Sequence, residues 1–78
     1  MKNPLLQRRE ELGLSQEAAA QRAGVSFSTW RNWERSRTCP NLASYLSLAK
    51  ALHWSIGQVQ DAVRVIETHK LNRHSPAA

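Results

Sequence analysis

Apolar residues recur at helical spacing along the chain, and residues that favour helix ends separate them into five segments. Asn3 followed by Pro4 predicts the start of a first helix, because asparagine caps a helix and proline suits its first turn. Leucines follow as far as Gly13, which can end the helix in a left-handed conformation. The capping residues predicted for the later helices are Ser15, Ser26, Asn41 and Ser55. No segment alternates with period two, so the pattern predicts an all-α fold of five helices.

The last two segments set the extent of the folded domain. The fourth carries an apolar stripe from Leu42 to Leu52. The apolar face of the fifth consists of Ile56, Val59, Val63 and Ile66. Apolar content falls after Leu71, and Pro76 interrupts any helix. We therefore expect one domain over residues 1–67 and a flexible C-terminal tail over residues 68–78.

A tight break at Gly24–Ser26 joins the second and third helices. Two short helices joined by a glycine-containing turn are typical of a helix-turn-helix, although other helical hairpins are common. At about 100° per residue, Trp30 and Trp33 share one side of the third helix, and this side is expected to pack inward. The opposite side carries Phe27, Ser28, Arg31, Asn32 and Arg35. Guanidinium, amide and hydroxyl groups bind base edges and phosphates, so this face is a candidate surface for duplex DNA.

The charge of the chain agrees with a polyanionic partner. The 78 residues include 11 Lys and Arg against 6 Asp and Glu, for a net charge of +5. Nucleic acid is the first candidate and an anionic membrane surface the second, but the apolar stripes are needed for a compact core. Cys39 is the single cysteine, and neither a membrane-spanning run nor a signal peptide is evident. These features predict a soluble cytoplasmic protein.

Several motifs together resemble the Cro/CI-type helix-turn-helix family of lambda-class phage repressors and small bacterial regulators. They are the run from Leu12 to Glu17, the turn at Gly24–Ser26, the end of the third helix at Trp33–Arg35, and the segment Leu48–Leu52. The resemblance covers about residues 5–59. It implies a lambda-repressor-like domain whose third helix enters the major groove of DNA.

The resemblance and the exposed chemistry together assign contacts with DNA. The residues expected to meet base edges are Phe27, Ser28, Arg31 and Asn32. The residues expected to meet phosphates are Gln16, Ser26, Arg35 and Arg37. Each polar residue could instead be merely solvent exposed. Phe27 stands where a polar residue is more usual, and it could contact thymine methyl groups or pack against the second helix near the turn.

The family also implies an internal ion pair. Glu34 is an acidic residue on the helix expected to face DNA, and the matching acid in the family pairs with an arginine of the first helix. That arginine corresponds to Arg9 here. We expect an Arg9–Glu34 pair that keeps the negative charge away from phosphates and fixes the first helix against the third.

The chain departs from the family at positions that affect packing and helix ends. Ala19 and Ala23 stand where larger residues are common, and Trp30 stands where isoleucine or valine is common. A volume-conserving exchange would explain these departures, because the indole fills the space that the alanines leave. Ser36 and His53 each replace a usual glycine at a helix end, so those ends are expected to be slightly strained or differently shaped.

A single recognition helix carries little sequence information, and proteins of this class dimerise to place two such helices in successive grooves. We expect a homodimer on a palindromic operator, with the two-fold contact at Val63, Val65 and Ile66 of the fifth helix. The alternative is that the fifth helix only closes the core of the monomer.

The leading functional hypothesis is a transcriptional regulator that binds double-stranded DNA, most simply a repressor. The alternative is an antitoxin or accessory protein-interaction module on the same scaffold, which would need apolar anchors on the exposed side of the third helix. The sequence shows no nucleophile with a plausible general base, which argues against catalysis. The histidines His53, His69 and His74 lack the spacing of a metal site. We therefore expect no enzymatic activity, cofactor, metal or small-molecule ligand.

Overall fold

The computed structural model describes residues 3–74, which form five α-helices. The helices are α1 (Pro4–Glu11), α2 (Gln16–Ala23), α3 (Phe27–Glu34), α4 (Leu42–Leu52) and α5 (Ile56–His74). No strand occurs within the range 3–74. The predicted all-α fold of five helices is therefore confirmed.

Each helix begins at a capping side chain that the sequence predicts. Asn3 Oδ1 accepts hydrogen bonds from the backbone N–H groups of Leu5 at 2.8 Å and Leu6 at 3.2 Å. The caps that accept from the backbone N–H three residues later are Ser15, Ser26 and Asn41. At α5 the capping is reciprocal. Ser55 Oγ accepts from the backbone N–H of Gln58, and the side-chain Oε1 of Gln58 accepts from the backbone N–H of Ser55. Local side-chain chemistry therefore sets all five helix starts.

Left-handed backbone follows four of the helices. Gly13 and Gly24 have φ of 69° and 71°, which glycine adopts without a steric penalty. Ser36 and His53 have φ of 56° and 54°, although each carries a Cβ. Left-handed backbone costs a non-glycine residue about 1–2 kcal/mol. The two positions where the sequence lacks the family's usual glycine therefore keep the glycine-like conformation at an energetic cost.

The tryptophans of α3 point into the hydrophobic core, as predicted. Trp30 is fully buried and Trp33 is 4% exposed. Their ring centroids are 5.8 Å apart in an edge-to-face arrangement, a favourable geometry for aromatic rings. Ala19 and Ala23 of α2 are buried in the same cluster, which puts the small and large members of the expected volume exchange in one core. The other buried apolar residues of this core are Leu5, Ala20, Leu48, Ala49, Ala51, Leu52, Val59, Val63 and Ile66.

The burial of α5 corrects the predicted two-fold contact. Val63 is 2% exposed and Ile66 is fully buried, both within the core of a single chain. Side chains already packed inside the monomer cannot also form a surface between two copies, so the prediction is wrong at these two positions. Val65, the third member of the predicted contact, is half-buried and lines a shallow groove with Pro4 and Trp54.

The helix also continues through the predicted domain boundary at residues 67 and 68. It runs without a break to His74, and Thr68 Oγ1 donates to the carbonyl oxygen of Arg64 at 3.0 Å. No glycine or proline lies between Thr68 and His74, and the lysine, leucine and arginine residues there favour helix. The rest of the predicted tail, residues 75–78, lies outside the described residues.

Candidate nucleic-acid interface

The side of α3 opposite its tryptophans is accessible to a ligand. Phe27 is 41% exposed, Ser28 is exposed, and Arg31 and Asn32 are half-buried. All four residues expected to meet base edges therefore lie on the accessible part of one eight-residue helix. An α-helix with its side chains is about 10–12 Å across, which matches a major groove about 12 Å wide.

Two of these residues contact each other. The Cζ atom of Arg31 lies 5.4 Å from the centroid of the Phe27 ring, a cation–π arrangement between residues one helical turn apart. Among the described residues, no carboxylate or other polar group pairs with the Arg31 side chain. Its N–H donors are therefore free for a ligand. This contact was not among the predictions, although the spacing of an aromatic residue and an arginine at i and i+4 could have indicated it.

Glu34 lies at the centre of a cluster of three donor side chains beneath this face. Arg9 binds its carboxylate through two nitrogens, with Nε 2.6 Å from Oε2 and Nη2 3.3 Å from Oε1. Gln16 Nε2 donates to Oε1 at 3.0 Å, and the indole N–H of Trp30 donates to Oε2. The side chains of Arg9 and Glu34 are 14% and 4% exposed. We call these four residues the Glu34 cluster.

The Glu34 cluster shapes the candidate interface in two ways. The acidic group of α3 is buried and neutralised by Arg9, so it does not repel phosphates at the surface. Arg9 Nη1 also donates to the carbonyl of Leu14 at 2.8 Å, which ties the start of the helix-turn-helix to α1. The Gln16 amide uses one N–H for Glu34, and its NH₂ group carries a second N–H that this bond does not use.

Asn3 fixes the C-terminal end of α3, a role that was not predicted from the sequence. Besides capping α1, its Nδ2 donates to the carbonyl of Trp33 at 2.8 Å and to Ser36 Oγ at 3.1 Å. Asn3 and Ser36 are both buried, at 7% and 4% exposure. Ser36, which accepts this bond, has the left-handed backbone described above. A buried N-cap asparagine has a spare amide donor, which was the available signal for this contact.

The residues expected to meet phosphates lie at both ends of α3 and at the start of α2. Ser26 Oγ is used within the cap, where it accepts from the Thr29 backbone at 3.1 Å and hydrogen-bonds Thr29 Oγ1 at 2.7 Å. Arg35 and Arg37 are exposed beyond the last turn of α3. Neither arginine forms an ion pair with another residue of the range 3–74. The exposed base-edge candidates are thus flanked by free positive charge.

Other chemistry has little support in the described part of the chain. No group of three or more His, Cys, Asp or Glu side chains within it could hold a metal ion. Its helices include none that is both long and apolar enough to cross a bilayer. Cys39 is half-buried, and this burial raises the pKa of its thiol, with a further contribution from the negative charge of Glu67.

Comparison with known proteins agrees with this geometry. A family model described as a helix-turn-helix matches residues 5–59, which is the greater part of the chain and includes α2, the turn and α3. No curated protein and no solved structure gives a significant match.

Proposed function

The chain belongs to the Cro/CI-type helix-turn-helix family of DNA-binding regulators, and we propose that it represses transcription by occupying a palindromic operator as a homodimer. In this proposal α3 lies in the major groove, and bound protein excludes polymerase from the site. The proposed base contacts are Phe27, Ser28, Arg31 and Asn32, and the proposed phosphate contacts are Gln16, Ser26, Arg35 and Arg37. The protein acts in the cytoplasm, where it reaches its operator directly.

The observation that carries this proposal is the two-sided character of α3. Trp30 and Trp33 anchor one side in the core, and Glu34, the single acid of the helix, is buried against Arg9. The other side offers guanidinium, amide and hydroxyl groups with no competing carboxylate from the same helix. These groups bind phosphates and base edges. The net charge of +5 adds long-range attraction for the polyanion.

Binding is tested by salt titration with two duplexes, one of random sequence and one selected from a random pool. Affinity is expected to fall steeply with salt on both, because bound protein releases counterions from the phosphates. The selected duplex is expected to bind at least about 10³-fold more tightly than the random one. Salt-independent binding, or equal affinity for the two duplexes, contradicts sequence-specific recognition.

The division between phosphate and base contacts is tested by two substitutions. Arg37→Ala is expected to weaken binding to both duplexes by a similar factor and to reduce the salt dependence. Asn32→Ala is expected to lose mainly the preference for the selected duplex, because an amide can pair with adenine. Lys50→Ala is the matched control, since Lys50 is also an exposed cation without an ion pair among the described residues but lies on α4. Equal weakening of both duplexes by both test variants shows that the division is wrong.

The proposed homodimer uses an exposed apolar pair on α4. Leu42 and Leu46, called the leucine pair below, lie one helical turn apart and are 78% and 59% exposed. Arg64 and Glu67 of α5 line a shallow groove together with Leu42. In this arrangement a two-fold axis lies beside the leucine pair, and Arg64 of each copy faces Glu67 of the other. The surface would then be self-complementary, as a two-fold contact requires. We propose the leucine pair as the two-fold contact in place of the buried valine and isoleucine of α5.

Sedimentation at micromolar concentration, with and without palindromic DNA, tests this contact. Wild-type chain is expected to dimerise, and the double variant Leu42→Ser/Leu46→Ser is expected to sediment as a folded monomer. Val65→Ser is the matched control, because Val65 is a half-buried apolar residue on α5 outside the leucine pair. A wild-type chain that remains monomeric on palindromic DNA contradicts the homodimer. Loss of dimerisation in the Val65 variant alone moves the contact to α5.

The alternative, an antitoxin or accessory interaction module, has one supporting feature. Phe27 is an exposed apolar residue on α3, but Arg31 lies over its ring. Stable protein interfaces need a larger buried apolar centre than one partly covered ring supplies. Absence of binding to either duplex at low salt, together with retained dimerisation, would favour this alternative.

A further inference from the structure

Phe27 and Arg31 form a pair on the exposed side of α3, outside the buried core. Phe27 is 41% exposed, and neither residue belongs to the buried core. The Cζ atom of Arg31 nevertheless lies 5.4 Å from the ring centroid. We propose that the pair acts as one unit that recognises a thymine next to a guanine in the major groove, and that 5-methylcytosine can replace the thymine. This inference rests on the proposed function and specifies the bases that it recognises.

Arg31 supplies the part of the unit that reads guanine. Its guanidinium is a flat fork of N–H donors, and guanine presents two acceptors, O6 and N7, at matching spacing in the major groove. No described side chain takes these donors in the free protein. Stacking on Phe27 restricts the long arginine side chain before DNA binds. Less conformational entropy is then lost on forming the contact than for an arginine that moves freely.

Phe27 supplies the part that reads the methyl group. A phenyl ring has neither donor nor acceptor, so it cannot form hydrogen bonds with a base edge. The apolar group that the major groove offers is the C5-methyl of thymine. Cytosine lacks this methyl, and 5-methylcytosine carries it on the same ring carbon. The ring therefore favours thymine or 5-methylcytosine over unmodified cytosine and uracil.

The spacing of the two groups assigns them to neighbouring base pairs. Successive bases along a strand are about 3.4 Å apart, and the Cζ-to-centroid distance is 5.4 Å. The separation is less than two such steps, so the two groups can reach neighbouring base pairs. Phe27 begins α3 and Arg31 lies one turn later, so both project from the N-terminal half of the helix. In docked helix-turn-helix proteins this half contacts the base edges.

The test uses the duplex selected from a random pool and single-atom changes within it. Replacing the relevant thymine with uracil removes only the methyl and is expected to weaken binding about fourfold, the value of one buried methyl-sized group. Replacing that thymine–adenine pair with 5-methylcytosine–guanine is expected to cost less than replacing it with cytosine–guanine. Replacing guanine with 7-deazaguanine removes one of the two acceptors and is expected to weaken binding about tenfold.

Variants of Phe27 separate its two roles. Phe27→Leu keeps an apolar group for the methyl but has no ring for the guanidinium. It is expected to retain the fourfold preference for thymine over uracil, whereas the effect of 7-deazaguanine falls to about threefold. Phe27→Ala is expected to lose both preferences. Leu71→Ala is the control, because Leu71 is also an exposed apolar residue but lies on α5, and this variant is expected to keep both.

The outcomes distinguish this inference from the proposed function. Selected sites without a thymine–guanine neighbour, or an unchanged affinity on the uracil duplex, overturn the inference while sequence-specific binding stands. Phe27→Leu with an undiminished 7-deazaguanine effect shows that the two residues act separately, which also overturns it. Failure to bind any duplex at low salt overturns the proposed function and the inference together.

Discussion

The Glu34 cluster leads to a quantitative prediction about stability. The substitution Glu34→Gln keeps the shape of the side chain and removes its charge. Arg9 then faces a neutral amide at a site where its own side chain is 14% exposed. Breaking a buried ion pair by changing one partner is costly, because the other charge remains uncompensated.

The magnitude follows from the hydrogen bonds. Arg9 donates two of them to the carboxylate, and Gln16 and Trp30 donate one each. Glutamine offers one carbonyl oxygen, and its NH₂ group faces donors at the other position. At least two bonds to a charged acceptor are lost, each worth about 1.5–3 kcal/mol. Because water reaches part of Arg9, we take the lower end, a loss of about 3 kcal/mol in the free energy of unfolding.

Thermal and urea unfolding followed by circular dichroism measure this loss. In a domain of this size 1 kcal/mol changes Tm by roughly 4–8 °C, so Glu34→Gln is expected to lower Tm by roughly 12–24 °C. The matched control is Glu11→Gln. Glu11 pairs with Arg8 at 3.3 Å, but its side chain is 53% exposed. The control is expected to cost less than about 0.5 kcal/mol, as exposed ion pairs usually do.

A double-mutant cycle decides whether the ion pair causes the loss. Arg9→Met leaves the carboxylate with the donors of Gln16 and Trp30. Combined with Glu34→Gln, it also removes the uncompensated arginine, so the double variant is expected to lose less stability than the two single losses added. Additive losses, or a Glu34→Gln variant within about 1 kcal/mol of wild type, would refute the reasoning.

Three further outcomes can be checked on the isolated chain. His53→Gly is expected to stabilise the fold by about 0.5–1 kcal/mol in thermal unfolding, because it relieves the left-handed strain. Part of this gain is offset by the higher conformational entropy of glycine in the unfolded chain. His53→Ala keeps the Cβ and should give no gain. Asn3→Ser keeps a cap but loses the amide bonds to α3, so chemical denaturation is expected to show a loss of about 1–2 kcal/mol, and a fully stable variant would contradict the link. Burial raises the pKa of the Cys39 thiol, and the thiolate is the form that reacts with alkylating agents. Alkylation is therefore expected to need a higher pH in the folded chain than in urea. Coincident pH profiles for the folded and unfolded chain would contradict this.

The helix boundaries could be predicted because they depend on residues adjacent in sequence. A capping side chain bonds to the backbone only two or three positions away, so the starts at Ser26 and Asn41 are recognisable without tertiary information. Strain or a different shape was expected at the helix ends marked by Ser36 and His53, and the backbone there is left-handed. In that case the family pattern supplied the information, since neither residue favours this conformation on its own.

Contacts between distant residues were harder to predict. The Arg9–Glu34 pair was expected through the family resemblance alone, and the bonds from Gln16 and Trp30 to the same carboxylate were missed. The bond from Asn3 to the Trp33 carbonyl spans 30 positions. Such contacts depend on how α1 docks against α3, which no local pattern encodes.

The α5 helix shows how one apolar pattern can support two interpretations. Val63 and Ile66 were expected at a dimer contact, although they continue the core stripe begun by Val59. Periodicity assigns residues to a helical face but does not say whether that face meets the same chain or a second copy. The choice depends on whether the other helices leave the stripe exposed, and here they cover it.

Trp30 connects the departures from the family pattern with the candidate interface. An isoleucine or valine at this position could fill space beside Ala19 and Ala23 only in part, and it would have no polar group. The indole is fully buried, and its N–H also donates to the Glu34 carboxylate. One side chain therefore contributes both to the packing of α3 in the core and to the position of the acid beneath the candidate interface. Because Phe27 and Arg31 lie on the same eight-residue helix as this anchor, the packing of Trp30 also orients these two side chains, and in the proposed function it couples the core to the recognition of bases.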